Sequence, residues 1–150
     1  MKQVSILFAF LLIAVAGKAQ TAEDSVKATI NTLFTAMQTS NPDLLKSAFA
    51  DSAILQTITR NKEGKTIVKT DAVADFANSI SKLPKDAADE RITFDVVRVD
   101  GALAIAWTPY KFYFNGKFSH CGVNSFQLVR FNGEWKIQYL IDTRRKAGCE

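Results

Sequence analysis

Apolar residues keep two periods along this chain, mostly helical in its first half and alternating in its second. Val26, Ile30, Leu33, Phe34 and Met37 recur at the spacing of one helix face, which predicts an amphipathic helix over residues 22–39. Asn41-Pro42 supplies an N-cap and a proline at the first helical position of a short second helix, with Leu44, Leu45, Ala48 and Phe49 as its stripe. Residues 53–60 and 65–70 predict a hairpin around Lys62-Glu63-Gly64. Thr70 or Asp71 is expected to cap a third helix that buries Val73, Phe76 and Ile80 and ends before Pro84. Residues 85–90 read as a charged connector.

From Arg91 onward the pattern is four strands joined by turns at Asp100-Gly101, Asn115-Gly116 and Asn132-Gly133. Two-residue loops would pair Val99 with Ala102, Phe114 with Lys117 and Phe131 with Glu134, and register then decides which side chains share a face. One face collects Val96, Ile105, Phe126 and Tyr139 in a row, with Phe94, Trp107, Asn124 and Ile141 in the next. Lys111, His120 and Arg145 continue it toward the sheet end. We expect this face to be concave. The other face would carry Ala104, Ala106, Thr108, Tyr110, Ser125, Gln127, Leu140 and Asp142. It is short of charge, hence a candidate homodimer interface. Pro109 opposite Gly122 favours a bulge, and a bulge there would turn Asp142 and Arg144 inward instead.

Phe94, Trp107, Phe126, Asn124 and Tyr139, with Lys111 further along, form the candidate ligand-binding set: mostly apolar area with a few converging polar groups. An asparagine in mid-strand must find partners for its amide. Asn124 and the Tyr139 hydroxyl therefore either orient a ligand packed on Trp107 or bond to other groups of the core. His120, the only histidine, is the candidate proton carrier, held neutral by the neighbouring cations Lys111 and Arg145. The alternative for His120 is an ordinary surface position.

Composition changes the picture at the N-terminus. Lys2, the apolar stretch Val4 to Ala16 and Gly17-Lys18-Ala19 predict a signal peptide over residues 1–19, leaving a single domain over 20–150. Cleavage after Ala16 and a retained anchor are the alternatives. Loss of Lys2 and Lys18 takes the formal charge from +4 to +2, too little to argue for nucleic acid or an acidic membrane as partner. The protein is thus expected in a bacterial periplasm or outside the cell. There Cys121 and Cys149 either form a disulfide or remain two free thiols. With one histidine and no Cys/His cluster, neither a metal site nor a cofactor is expected.

Helix, helix, hairpin, helix and meander make an α+β domain. In this order, and in its ending Phe131-Asn132-Gly133-Glu134-Trp135-Lys136-Ile137, the mature chain resembles the nuclear transport factor 2-like superfamily, in its polyketide-cyclase-like and putative lumazine-binding branches. The resemblance implies a cone-shaped, strongly bent antiparallel sheet wrapped around three helices, a pocket between them, and dimers formed through the outer sheet face. Relatives that act as isomerases or cyclases are expected to hold an Asp, or an Asp–His pair, inside the cone. Here Asp95, Glu134 and Asp142 all count to the other face. The expected function is therefore an exported domain holding a small apolar molecule. The alternatives are an isomerase, dehydratase or cyclase using His120, and a homodimeric interaction domain.

Overall fold

The computed structural model describes residues 21–149, and the segment read as a signal peptide lies outside the described residues. Helix α1 (Ala22–Gln38) begins at a reciprocal capping box. The Thr21 hydroxyl accepts from the Asp24 N–H at 3.1 Å, and the Asp24 carboxylate accepts from the Thr21 N–H at 3.4 Å. Helix α2 (Pro42–Ala48) starts as its sequence predicts, with Asn41 Oδ1 accepting from the Leu44 N–H at 3.0 Å. Phe49 is not its last apolar position but the first residue of β1 (Phe49–Arg60), which pairs with β2 (Thr66–Asp71). Thr70 and Asp71 stay in β2, so α3 (Val73–Ser81) has Ala72 at its N-cap position and no side-chain cap.

The expected connector over 85–90 is partly strand: β3 (Ala88–Ile92) precedes β4 (Val96–Asp100), and both pair with β5 (Leu103–Phe114). β6 (Lys117–Phe131) and β7 (Glu134–Thr143) complete a seven-stranded sheet of order β2-β1-β7-β6-β5-β3, with β4 also on β5. The sheet is mixed, not antiparallel, because β1 runs parallel to β7. A tight turn dictates direction only for the two strands it joins. No turn joins β1 to β7, so the helices that deliver β1 set its direction.

Asn115-Gly116 and Asn132-Gly133 form the expected two-residue loops with positive φ at all four residues. The first turn sits one residue later, at Gly101-Ala102, which leaves the faces of β4 and β5 unchanged relative to each other. Two single-residue bulges then overturn the predicted face list. Between Phe112–His120 and Tyr113–Phe118 the ladder skips Ser119; between Gln127–Tyr139 and Leu128–Ile137 it skips Gln138. The bulges lie away from Pro109 and Gly122, where one was anticipated. Each shifts phase by one, so β6 is turned over relative to both neighbours while β5 and β7 keep their predicted relation.

The helices cover one face of the sheet, and the core lies between. That inner face carries Ala104, Ala106, Thr108 and Tyr110 from β5, Asn124, Phe126 and Leu128 from β6, and Ile137, Leu140 and Asp142 from β7. Much of the core volume comes from Phe126 and Leu128 with Val26, Ile30 and Leu33 of α1, so small residues suffice on β5. The residues read as an outer dimer face, Ala104, Ala106, Thr108, Tyr110 and Leu140, are therefore buried, whereas Ile105 and Trp107 are on the outside, 44% and 46% exposed.

Cys121 and Cys149 form a disulfide that clips the C-terminal tail onto β6, where Cys121 and Arg145 also exchange two backbone hydrogen bonds of 2.9 Å. The bridge closes a span of 28 residues. Cys149→Ser is expected to lower unfolding stability by about 2–4 kcal/mol through loss of that cross-link. Urea unfolding of the oxidised protein and the variant measures this; equal midpoints would show that the tail adds nothing to stability.

Candidate functional site

A cavity of about 300 Å³ lies between α1, α3, the β1–β2 hairpin and the inner face of the sheet. Helix spacing supplies one wall, with Leu33, Phe34 and Met37 from α1 and Phe76 and Ile80 from α3. Leu55, Phe112 and Leu140 from the strands, and Leu83, extend the apolar lining. Lys69, Asp75 and Ser79 are exposed residues of the lining and mark its mouth.

The sheet end of the cavity is polar, and its centre is Asp142, only 7% exposed. Its carboxylate accepts from the Thr57 hydroxyl at 2.6 Å, from Arg144 Nε at 2.9 Å and from the Tyr110 hydroxyl at 3.2 Å. The Tyr110 hydroxyl also lies 2.9 Å from the Thr143 carbonyl oxygen, so its one proton is shared between two acceptors. Arg144 Nη2 donates to the Thr57 hydroxyl at 3.2 Å, closing a ring of side chains from β1, β5, β7 and the tail. A buried carboxylate is tolerated on such terms, paired with a cation and fully hydrogen-bonded. Burial first, and then the Asp142 carboxylate, push the Tyr110 hydroxyl far above the ordinary tyrosine range, so it acts only as a neutral donor.

Tyr110 reaches Thr143 only because it crosses Gly122. A Cβ at that position would collide with the Thr143 carbonyl oxygen and the tyrosine ring. The predicted pairing partner of Pro109 is thus the place where an aromatic ring lies flush on the backbone. Glycine is required here for close approach.

Glu90 stands apart from this ring. It lies on β3 beside Phe112, and its Oε1 accepts from Asn124 Nδ2 at 2.8 Å. Burial pushes its carboxyl up to about 7; the Asn124 amide opposes the shift, and the Asp142 charge adds to it. His120 also lines the cavity, tilted at 40° against Phe112 with ring centroids 5.0 Å apart and edge-on to Tyr110 at 5.7 Å. Burial, and then the Arg144 charge, hold its imidazole below the usual histidine range, and Ser119 Oγ lies 3.1 Å from Nδ1. Among the described residues no cluster of His, Cys, Asp and Glu could hold a metal ion.

Of the residues singled out from sequence, the structure brings Asn124 and His120 together in the cavity lining. Phe126 faces the same way but is wholly buried in the core, edge-on to Phe34 at 6.3 Å. Phe94 lies between β3 and β4, half-buried against the core, with Lys27 over its ring. Trp107, Tyr139 and Lys111 point to the outer face, because β6 keeps its expected inner face and each bulge offsets its neighbours, β5 and β7, by one position against it. The Tyr139 hydroxyl donates there to Gln56 Oε1 at 2.8 Å. Asp142, counted outward from the ideal register, faces inward. Glu90 was hidden in the charged connector; Ala88, Glu90 and Ile92 alternating with Asp89 and Arg91 was the period-2 signal for it.

The description "putative lumazine-binding" belongs to a family model that matches residues 21–139. No curated protein of known function matches the chain. Solved structures do. A nuclear transport factor 2-like protein of unknown function from Shewanella baltica superposes with a TM-score of 0.63 at 10% identity, covering 82% of this chain and 93% of that one. A domain of unknown function with a cystatin-like fold from Nostoc punctiforme gives 0.65 at 18% identity, covering 87% and 82%. A nuclear transport factor 2-like protein from Silicibacter pomeroyi gives 0.62 at 16%, covering 81% and 93%. At these identities the likeness is one of fold.

The raised Glu90 carboxyl has a signed consequence for stability. The unfolded chain ionises Glu90 near its ordinary value of 4.5, the folded protein only at about 7, so ionisation favours unfolding across that window. Glu90→Gln keeps an acceptor for Asn124 and removes the charge. The variant is expected to gain urea midpoint over the wild type at about pH 8 and to lose that gain at about pH 4. A difference that does not change with pH would remove Glu90 from this titration.

Proposed function

The chain belongs to the putative lumazine-binding family, and on that premise we propose a small-molecule-binding domain whose ligand sits in the cavity between helices and sheet. The observation that carries this reading is the cavity itself: about 300 Å³, apolar along α1 and α3, with Glu90, Asn124, Tyr110 and His120 converging at one end. An apolar body with a polar head matches that division, and walls of Phe34, Phe76 and Phe112 favour a flat body. Export is part of the proposal. It is supported by the leader-like sequence and by the Cys121–Cys149 disulfide, which suits an oxidising compartment. Homodimerisation through the outer sheet face is supported by the exposed Val96, Leu103, Ile105 and Trp107, in place of the alanines first read there.

A second reading, proton transfer on the bound molecule, is favoured by one observation. Glu90, whose carboxyl is pushed up to about 7, and His120, held toward its neutral form, line the same cavity as candidate acid and base. On this reading His120→Gln abolishes turnover of a substrate while leaving its affinity unchanged; activity surviving the change removes His120 from the chemistry.

The binding reading is tested with N-phenyl-1-naphthylamine, a neutral fluorescent probe. Ser79→Trp places an indole in the mouth and is expected to weaken probe binding about tenfold or more, on the order of 1.4 kcal/mol. Trp107→Glu is expected to leave probe binding intact and to sediment as a smaller species than the wild type. Unchanged binding in Ser79→Trp would overturn the cavity assignment, and unchanged sedimentation in Trp107→Glu would overturn the dimer face.

A further inference from the structure

The charges around the cavity do not balance, and the imbalance points to the class of ligand. Lys69 at the mouth is committed to Asp71 at 2.8 Å. Arg144 is committed to Asp142 at 2.9 Å and to Thr57. His120 is held toward its neutral form, and the Tyr110 hydroxyl is spent on Asp142 and Thr143. Two acids remain. Asp75 is exposed at the mouth, where water solvates it. Glu90 lies within, with the neutral Asn124 amide as its one side-chain partner among the described residues.

Resting on the reading of the cavity as a ligand site, we propose that the ligand presents a cationic nitrogen, an amine, an amidine or a protonated heterocycle, to the Glu90 carboxylate. Asn124 fixes one carboxylate oxygen, Oε1, by its 2.8 Å bond and leaves Oε2 for the ligand. A half-buried carboxylate with no cation bonded to it is the least satisfied acid inside the cavity, and an incoming cation relieves it where a neutral or anionic head does not. Phe112, which pairs with Glu90 across the β3–β5 ladder, and Phe76 line the same space and supply apolar area for the body behind the cationic head. The arrangement selects against anions, since Glu90 and Asp142 are both on the sheet wall.

Benzamidine and benzamide share a shape and differ in charge, and indole serves as an uncharged control for the cavity. Titration calorimetry on the wild type at about pH 8 is expected to show benzamidine binding about tenfold tighter than benzamide, the worth of one charge-assisted hydrogen bond. The amidinium stays protonated throughout, so on lowering the pH to about 5.5 the preference should shrink as Glu90 takes up its proton. His120 also faces the cavity, and the loss must therefore persist in His120→Gln; Lys69, Asp71, Asp75, Tyr110, Asp142 and Arg144 complete the charged and titratable lining. Glu90→Gln is expected to erase the preference while indole still binds. Should that variant fail to fold, the wild-type pH dependence decides alone. Equal affinity for benzamidine and benzamide with indole bound, or a preference that survives Glu90→Gln or is constant with pH, overturns the cationic-ligand assignment and leaves the cavity reading standing. Failure of all three probes, indole included, overturns the cavity reading and this inference with it.

Discussion

The phase of β6 is the constraint on which the rest of the structure depends. Ser119 and Gln138 each add one residue to a ladder, and together they rotate the central strand by one position against both its neighbours. Because side chains alternate strictly along a strand, that single step decides which of two whole sets faces the helices. It puts Phe126 and Leu128 into the core beside Ala104 and Ala106, and it brings Asn124 within hydrogen-bond reach of Glu90. Removing either bulge would trade the core phenylalanine for Gln127 on the inner face, an exchange of a packed ring for an amide without partners. Core packing therefore holds the bulges in place.

A second layer of order rests on Asp142. Its three bonds reach β1, β5 and the tail, so one carboxylate ties the parallel β1–β7 pair to the antiparallel meander at the closed end of the cavity. The ring it forms is satisfied by protein groups alone. Glu90 is the contrasting case, a carboxylate on the same wall with one neutral partner. Sites that recognise a ligand commonly keep such a group at a cost to the empty fold, while neighbouring polar groups are locked to hold it in position.

The elements were legible in the sequence wherever one local signal sufficed. The apolar spacing of α1 and the Asn41-Pro42 start of α2 place their helices, and the Asn-Gly pairs turn where their chemistry demands positive φ. The faces were not legible, because a bulge inside a continuous apolar run leaves no mark in composition. His-Cys-Gly-Val-Asn-Ser-Phe carries apolar residues in both phases, so counting from the turn could not detect a skipped Ser119. Large side chains also misled. Trp107 and Ile105 were read as inner because ideal register put them on the more apolar face, yet a core already filled by helix residues takes Ala104 and Ala106 from that strand instead; apolar residues on a surface are common. Of the candidate site, Asn124 and His120 were reachable from the pattern and Glu90 only through the short alternation of residues 88–92, whereas Asp142 needed the three-dimensional register.

The parallel pairing of β1 with β7 bears on how the chain reaches this structure. Phe49 meets Ile137, and Leu55 to Ile58 lie along Leu140 to Thr143, so one edge of the N-terminal hairpin has no neighbour until nearly the last strand is available. Contacts of such long sequence separation carry a loop-closure cost before they return any free energy, which slows folding. Helix α1 and the hairpin can form as local units, but the wall that carries Thr57 and Asp142 is complete only once β7 is available. A chain released with its final dozen residues missing would keep most of its secondary structure and lack the closed end of its cavity, presenting an unpaired strand edge to other chains.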